Sequence, residues 1–153
     1  MRKLTMAALA AVAVAAVAGP AMAQKSVTIV REIDTDRYDP HKSTSRSGAE
    51  VIYMMGDTML NLDFDMKTLK PGLATSWTVS PDSLSYRFTL HPNVKFHDGS
   101  PLTSADVKAS FDRMRNPPQG VVSLRQGMLA DVAAIDTPDP QTVVFKFSRP
   151  NAA

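Results

Sequence analysis

Residues 84–107 read LSYRFTLHPNVKFHDGSPLTSADV, and this stretch carries three local signals. Apolar and polar residues alternate from Leu84 to Leu90, which predicts a β-strand with one buried face. The dipeptide Asp98-Gly99 is typical of a tight turn. Thr103, with Asp106 three residues later, has the form of a capping box that begins a helix. The stretch therefore predicts a strand, a turn and a capped helix, in that order.

The elements on either side extend this pattern. Val107, Phe111 and Met114 share one helical face, and Asn116-Pro117-Pro118 should end that helix at about Arg115. Upstream, the segment around Trp77 and Val79 should pair with the alternating strand as an antiparallel hairpin. Trp77, Tyr86, Phe88, Leu90 and Phe111 are expected in one apolar layer.

Two further hairpin strands and an earlier helix complete the prediction. Ala130–Ile135 and Thr142–Phe147 flank the turn-forming Thr137-Pro138-Asp139-Pro140, which predicts a second hairpin. The run Ser26–Arg31 predicts a short strand.

Ser47 with Glu50 also has the capping-box form, which predicts a helix over about 48–60. Its stripe of Val51, Ile52, Met55 and Met59 is expected to face the core. The resulting fold class is α+β, with antiparallel hairpins and two helices.

The N-terminus has the pattern of a secretory signal peptide. Arg2 and Lys3 precede an apolar run to about Ala18, and the small-residue site Ala21-Met22-Ala23 follows. The run is shorter than the roughly 20 residues of a membrane-spanning helix. We therefore expect residues 1–23 to be removed after Ala23.

The charge balance and the absence of cysteine indicate which classes of protein the chain can belong to. There are 17 basic and 15 acidic residues, so the counts become equal without Arg2 and Lys3. A balanced charge gives no argument for nucleic-acid binding. The chain has no cysteine, which excludes disulfides and the lipid-bearing residue of a bacterial lipoprotein. A soluble periplasmic protein is expected.

Candidate chemistry is sparse. His97 beside Asp98 could be a general base and its orienting carboxylate, but neighbours in an extended segment point to opposite faces. The three histidines match no standard metal spacing, and Asp34, Asp36 and Asp39 lack the remaining features of a calcium loop. Neither a phosphate loop nor a dinucleotide fingerprint is present. We expect no catalytic residue, no metal and no cofactor.

Four ordered segments resemble one protein family. They are Tyr38–His41; Pro71–Trp77 with Val79–Asp82; Tyr86–Leu90; and Val94–Gly99 through Leu102–Val107. Together they resemble the extracytoplasmic solute-binding proteins of peptide and nickel ABC importers, family 5, the oligopeptide/dipeptide-binding type. Asn93 replaces the glycine usual in the family, and asparagine tolerates the left-handed conformation that a glycine would supply there.

This resemblance implies a fold and a division into parts. Family members are several-fold longer and have a two-lobed flytrap fold, the type II periplasmic binding protein, with an extra subdomain beside lobe one. By this resemblance, residues 24–33 contain the first strand of lobe one and residues 34–153 form most of the extra subdomain. The chain stops immediately after a strand, so a fragment without hinge and second lobe is expected.

The resemblance also implies a function. It implies a monomeric, non-enzymatic binding protein that captures peptides or another small solute and delivers them to membrane permease subunits. Of the residues present, Glu32, Ile33 and Asp34 resemble the region that lines the ligand cleft. Two alternatives remain: a secreted hydrolase using His97 and Asp98, and a structural module without a ligand. The ligand class stays open among peptides, nickel chelates, haem, glutathione and opine-like solutes.

Overall fold

The computed structural model describes residues 26–30 and 33–150. The chain divides into two compact units, residues 1–32 and 33–153. Residues 26–30 have no regular secondary structure, and Val27 and Val30 are exposed. The predicted strand Ser26–Arg31 is therefore not formed over its described residues. A strand exists only with a hydrogen-bonded neighbour, and none of the described residues pairs with this segment.

The second unit begins with a loop and a short helix. Helix α1 spans Arg46–Met55, and its N-cap is Ser45, whose hydroxyl accepts a hydrogen bond from Gly48 N. The prediction of Ser47 as the cap and of a helix reaching residue 60 was wrong at both ends. Gly56 ends the helix in an extended conformation. The expected core stripe was also wrong in part, because Met55 is exposed while Met59, beyond the helix, packs against the core.

A small hairpin that the sequence did not predict follows α1. Strand β1, Leu60–Leu62, pairs with β2, Leu69–Pro71, in antiparallel register. The adjoining Gly72 passes so close to the backbone that a Cβ there would lie 2.5 Å from the carbonyl oxygen of Thr58. Glycine is required at this position for that close approach.

Four antiparallel strands form the main sheet: β3 spans Ala74–Val79, β4 Ser85–Leu90, β5 Val132–Asp139 and β6 Thr142–Phe147. Their order across the sheet is β3-β4-β6-β5. Both predicted hairpins are confirmed, and β4 pairs with β6 at the centre. The second turn is shorter than predicted, because β5 continues through a register shift to Asp139.

Helix α2 spans Ser104–Arg115 and packs against β5 and β6. Its predicted start is confirmed: the Asp106 carboxylate accepts hydrogen bonds from both the backbone N–H and the hydroxyl of Thr103, each at 2.7 Å. Buried Ser104 donates through its hydroxyl to the carbonyl oxygen of Asp139 at 2.6 Å. This bond fixes the β5–β6 hairpin to the start of the helix.

The core lies between α2 and the sheet. Its buried members are Leu90, Val107, Val132, Ile135, Val143 and Phe145. Tyr86, Phe88 and Phe111 pack against them as expected, whereas Trp77 is only half-buried and is not part of this cluster. The alternation predicted for β4 is confirmed, since Arg87 and Thr89 are exposed while Leu90 is 2% exposed. Asn93 has φ 63°, the left-handed conformation expected for it.

Candidate functional site

The candidate ligand segment is the loop that leads into α1. Glu32 lies outside the described residues, whereas Ile33 is 71% exposed and Asp34 is exposed. The Asp34 carboxylate accepts a hydrogen bond from the backbone N–H of Thr35 at 2.7 Å. Its carbonyl oxygen accepts from the hydroxyl of Ser47 at 3.4 Å, which ties the loop to α1. Ile33 and Asp34 thus offer solvent an apolar side chain and a hydrogen-bond acceptor.

Asp36 holds the same loop through its carboxylate. Its carboxylate accepts hydrogen bonds from the hydroxyls of Ser45 at 2.6 Å and Ser43 at 2.9 Å. These two bonds, with that of Ser45 the larger cause, hold the pKa of the carboxyl below its ordinary value. Ser45 in turn accepts from Gly48 N at 3.0 Å. The helix cap and the loop therefore share one hydrogen-bonded network.

Gly48 is necessary for this network to close. A Cβ at this position would lie 2.2 Å from the hydroxyl oxygen of Ser43 and 2.8 Å from a carboxylate oxygen of Asp36. Ser43 is only 1% exposed and Gly48 is also buried. The absent side chain lets the loop and the first turn of α1 approach each other.

A distant arginine also holds this loop, and no sequence pattern predicts its contribution. Arg125 donates from Nε to the carbonyl oxygen of Pro40 at 2.9 Å and from Nη2 to that of Ser43 at 3.2 Å. Leu124 N also donates to the carbonyl oxygen of His41 at 3.1 Å. The partners are more than 80 residues apart, so no local motif could reveal them.

His97 and Asp98 form part of a turn. Asp98 accepts from both the backbone N–H of Ser100 at 2.9 Å and its hydroxyl at 2.6 Å. The hydrogen bond from the Ser100 hydroxyl is the main cause of the lowered pKa of Asp98, and the charge of His97 is the smallest of the causes. Gly99 has φ 87° and donates to the carbonyl oxygen of Phe96 at 2.9 Å. The carboxylate thus holds the chain reversal, and the predicted turn is confirmed.

Neither a metal cluster nor a membrane span is found in the described part of the chain. Residues 26–30 and 33–150 contain no group of three or more potential metal ligands. Asp36 and Asp39, which are spaced like calcium ligands, instead bind serine hydroxyls and the backbone N–H of His41. No helix in these ranges is both long and apolar enough to cross a membrane.

Comparisons with known proteins agree on one family. The family model for bacterial extracellular solute-binding proteins, family 5 (middle), matches residues 68–153. The glutathione-binding protein GsiB of Salmonella typhi is 34% identical over 134 residues, which cover 88% of this chain and 26% of that protein. A putative ABC transporter peptide-binding protein of Brucella abortus is 42% identical over 89 residues, covering 58% of this chain and 16% of that protein.

Solved structures show the same fold. The A. tumefaciens binding protein AgaA, in complex with agropinic acid, is 37% identical with a TM-score of 0.63, over 69% of this chain and 21% of that one. Haemophilus influenzae OppA, in complex with the peptide RPPGFSPFR, has a TM-score of 0.71 at 22% identity, over 78% of this chain and 26% of that one. This second likeness concerns the fold alone.

The match to the family model covers more than half of the chain. The fold is that of part of a family 5 periplasmic binding protein, and the chain spans about a quarter of the length of the glutathione-binding relative. The chain belongs to the bacterial extracellular solute-binding proteins, family 5.

Proposed function

We propose that this chain is part of the substrate-binding component of an ABC importer. It captures peptides, or a small solute of related chemistry, in the periplasm and delivers them to permease subunits of the inner membrane. The observation that carries the proposal is membership of the solute-binding family over residues 68–153. Two similar relatives, described as glutathione-binding and peptide-binding, support a peptide-like ligand.

The division of the chain belongs to the same proposal. Residues 1–23 are a signal peptide, residues 24–33 supply the first strand of lobe one once the other strands of that lobe are present to pair with it, and residues 34–153 form most of the extra subdomain beside that lobe. Export predicts that protein recovered from the periplasm begins at Gln24, which an intact-mass measurement checks. Recovery of uncleaved protein in the membrane fraction would contradict the assignment.

Glu32, Ile33 and Asp34 are proposed to line the ligand cleft. Ile33 and Asp34 are exposed, and the fixed network behind them, from Asp36 to Gly48, supports a defined loop conformation. A rigid support for an exposed loop is the usual arrangement of a binding site. The cleft would close on the ligand from both sides, and enclosure provides much of the affinity of such sites.

Solute uptake in the source bacterium tests the function. Deletion of the gene should abolish uptake of one labelled solute from a panel of glutathione, dipeptides, oligopeptides and an opine, while hexose uptake continues. Re-expression with Asp34→Asn should restore uptake with a raised KM, whereas the exposed control Asp57→Asn should restore it fully. Unchanged uptake of the whole panel after deletion would refute the proposed function.

A further inference from the structure

A pocket of about 250 Å³ lies where the loop before α1, α1 itself and the last turn of α2 meet. Most of its lining is apolar, and that part of the wall includes Pro40, Ala49, Ile52 and Met114. Among the described residues that line it, only Arg125 carries a charge. The pocket therefore combines an apolar wall with a single guanidinium group.

The charge of Arg125 is not balanced by a carboxylate in the described part of the chain. Its Nε donates to the carbonyl oxygen of Pro40 at 2.9 Å, and its Nη2 donates to that of Ser43 at 3.2 Å, so both partners are neutral. None of the ion pairs between described residues includes Arg125. The side chain is partly buried, and burial strengthens the attraction of its charge for an anion.

The acidic side chains of the neighbouring loop already have other partners. Asp36 accepts hydrogen bonds from two serine hydroxyls, and Asp39 accepts one from a backbone N–H and lies 4.0 Å from Arg113. The two bonds of Arg125 use two of the five N–H groups of a guanidinium. The remaining N–H groups suit a carboxylate, which arginine binds through two parallel hydrogen bonds.

We propose that the pocket binds a small carboxylate with an apolar body of about the size of a benzene ring. The carboxylate pairs with Arg125, and the apolar body contacts Ile52 and Met114. A cavity of about 150 Å³ holds one benzene ring, so this pocket has room for a ring and a short acid group. An uncharged apolar occupant would remove water from the guanidinium without replacing its hydrogen bonds, which costs free energy.

This site is separate from the residues proposed to contact the transported solute. Neither Ile33 nor Asp34 belongs to the pocket lining. Arg125 connects the two places, because it also holds the carbonyl groups of Pro40 and Ser43 in the loop that follows Asp34. The inference is independent of the proposed function: binding in the pocket is measured on the purified chain, whereas transport is measured in cells.

Amide NMR spectra of the isotope-labelled 153-residue chain test the proposal, with phenylpropionate as the probe. The amides of residues 49–56 and of Arg125 should shift and saturate with a Kd of about 1 mM, the affinity expected of a ligand with roughly ten non-hydrogen atoms. Phenylpropanol has the same ring without the charge, and acetate has the charge without the ring. Each should bind at least about tenfold more weakly than phenylpropionate.

Two variants and a matched control identify the pocket as the place of binding. R125Q should weaken phenylpropionate binding at least about tenfold. R46Q removes an equal charge from a side chain of α1 that is 95% exposed and should change the Kd by less than about twofold. A49F leaves Arg125 in place and fills the pocket with a ring, so it should abolish the saturable shifts while the rest of the spectrum stays that of the parent.

Three results would each overturn the proposal. The first is equal binding of phenylpropanol and phenylpropionate, since the charge of Arg125 would then not be recognised. The second is parent-like binding by A49F, which would place the probe outside the pocket. The third is the absence of saturable shifts at residues 49–56 up to about 10 mM phenylpropionate, a concentration well above the expected Kd.

Discussion

Two regions of this molecule hold their shape by different means. In the sheet region, residues 74–147, buried apolar side chains meet between β-sheet and helix, with Val143 at 0% and Leu90 at 2% exposure. In the loop region, residues 33–56, the buried residues are Ser43 and Gly48, and hydrogen bonds fix the conformation. Apolar packing provides most of the stability, whereas directional polar bonds set the form of an exposed loop. The loop region, which is proposed to contact the ligand, is therefore held mainly by polar bonds.

Phe145→Ala should have the largest effect on stability. The ring is 6% exposed and packs edge-to-face on both Phe88 and Phe111, so its removal leaves a cavity. We expect a loss of about 3–5 kcal/mol in the free energy of unfolding, measured by urea denaturation. The matched control is Phe64→Ala, since Phe64 is fully exposed in the loop between β1 and β2, and it should change stability by less than about 0.5 kcal/mol. Similar losses for the two variants would contradict the packing assigned to the sheet region.

Gly48→Ala should have the next largest effect, in the loop region. The added methyl group would overlap the hydroxyl of Ser43 and the carboxylate of Asp36. We expect a loss of about 1–3 kcal/mol, the usual cost of overpacking. Gly56→Ala, at the other end of the same helix, has nothing within 4 Å of the added methyl group. It should change stability by less than about 1 kcal/mol. Equal tolerance of alanine at both glycines would show that the network is not closely packed.

Ser45→Ala and Ser47→Ala distinguish the two possible caps of α1. Ser45 accepts from Gly48 N and donates to Asp36, so its loss should cost about 1 kcal/mol of unfolding free energy. Ser47→Ala should cost less, because its hydroxyl bonds to the carbonyl oxygen of Asp34 and to Ser45 are both longer than 3.2 Å. Chemical denaturation compares the two variants. A larger loss of unfolding free energy in Ser47→Ala would show that Ser47, the residue predicted from the sequence, is the cap.

Asp36→Asn should have the smallest effect on stability, and the size of that effect should depend on pH. Its pKa is lowered from 3.8 in the folded chain, so its contribution is present above that pH and is lost as pH falls through the lower folded value. The stability difference between the parent and Asp36→Asn should therefore be larger near pH 7 than at about pH 2.5. Urea midpoints at the two pH values measure it. If the stability difference between parent and variant is the same at both pH values, the charge of Asp36 does not contribute to stability.

The sequence predicted the sheet region well because its signals are local. Alternation in β4 and the Thr103–Asp106 cap depend on residues within a few positions of each other, and the structure confirms both. The β1–β2 hairpin could not be predicted, because each of its strands has three residues, too few to show the alternation of apolar and polar residues typical of a strand. Likewise, Pro138 suggested a turn where β5 continues through a register shift.

The candidate site was less accessible to sequence reasoning. Ser45 and Ser47 have equivalent local chemistry, and the choice between them depends on Asp36, nine residues before Ser45. The contribution of Arg125 depends on the folding of distant segments together. Ile33 and Asp34 followed only from the family resemblance, and their role in binding stays a prediction.

Native-state hydrogen exchange, resolved by residue, tests the contrast between the two regions most directly. We predict that the amides of Phe88, Val143 and Phe145 exchange only through global unfolding, because they lie in the paired central strands β4 and β6. Amides of residues 36–55 should exchange through local opening at a clearly lower free energy, since polar bonds near solvent hold them. Equal protection of both regions, with equal denaturant dependence, would contradict the account.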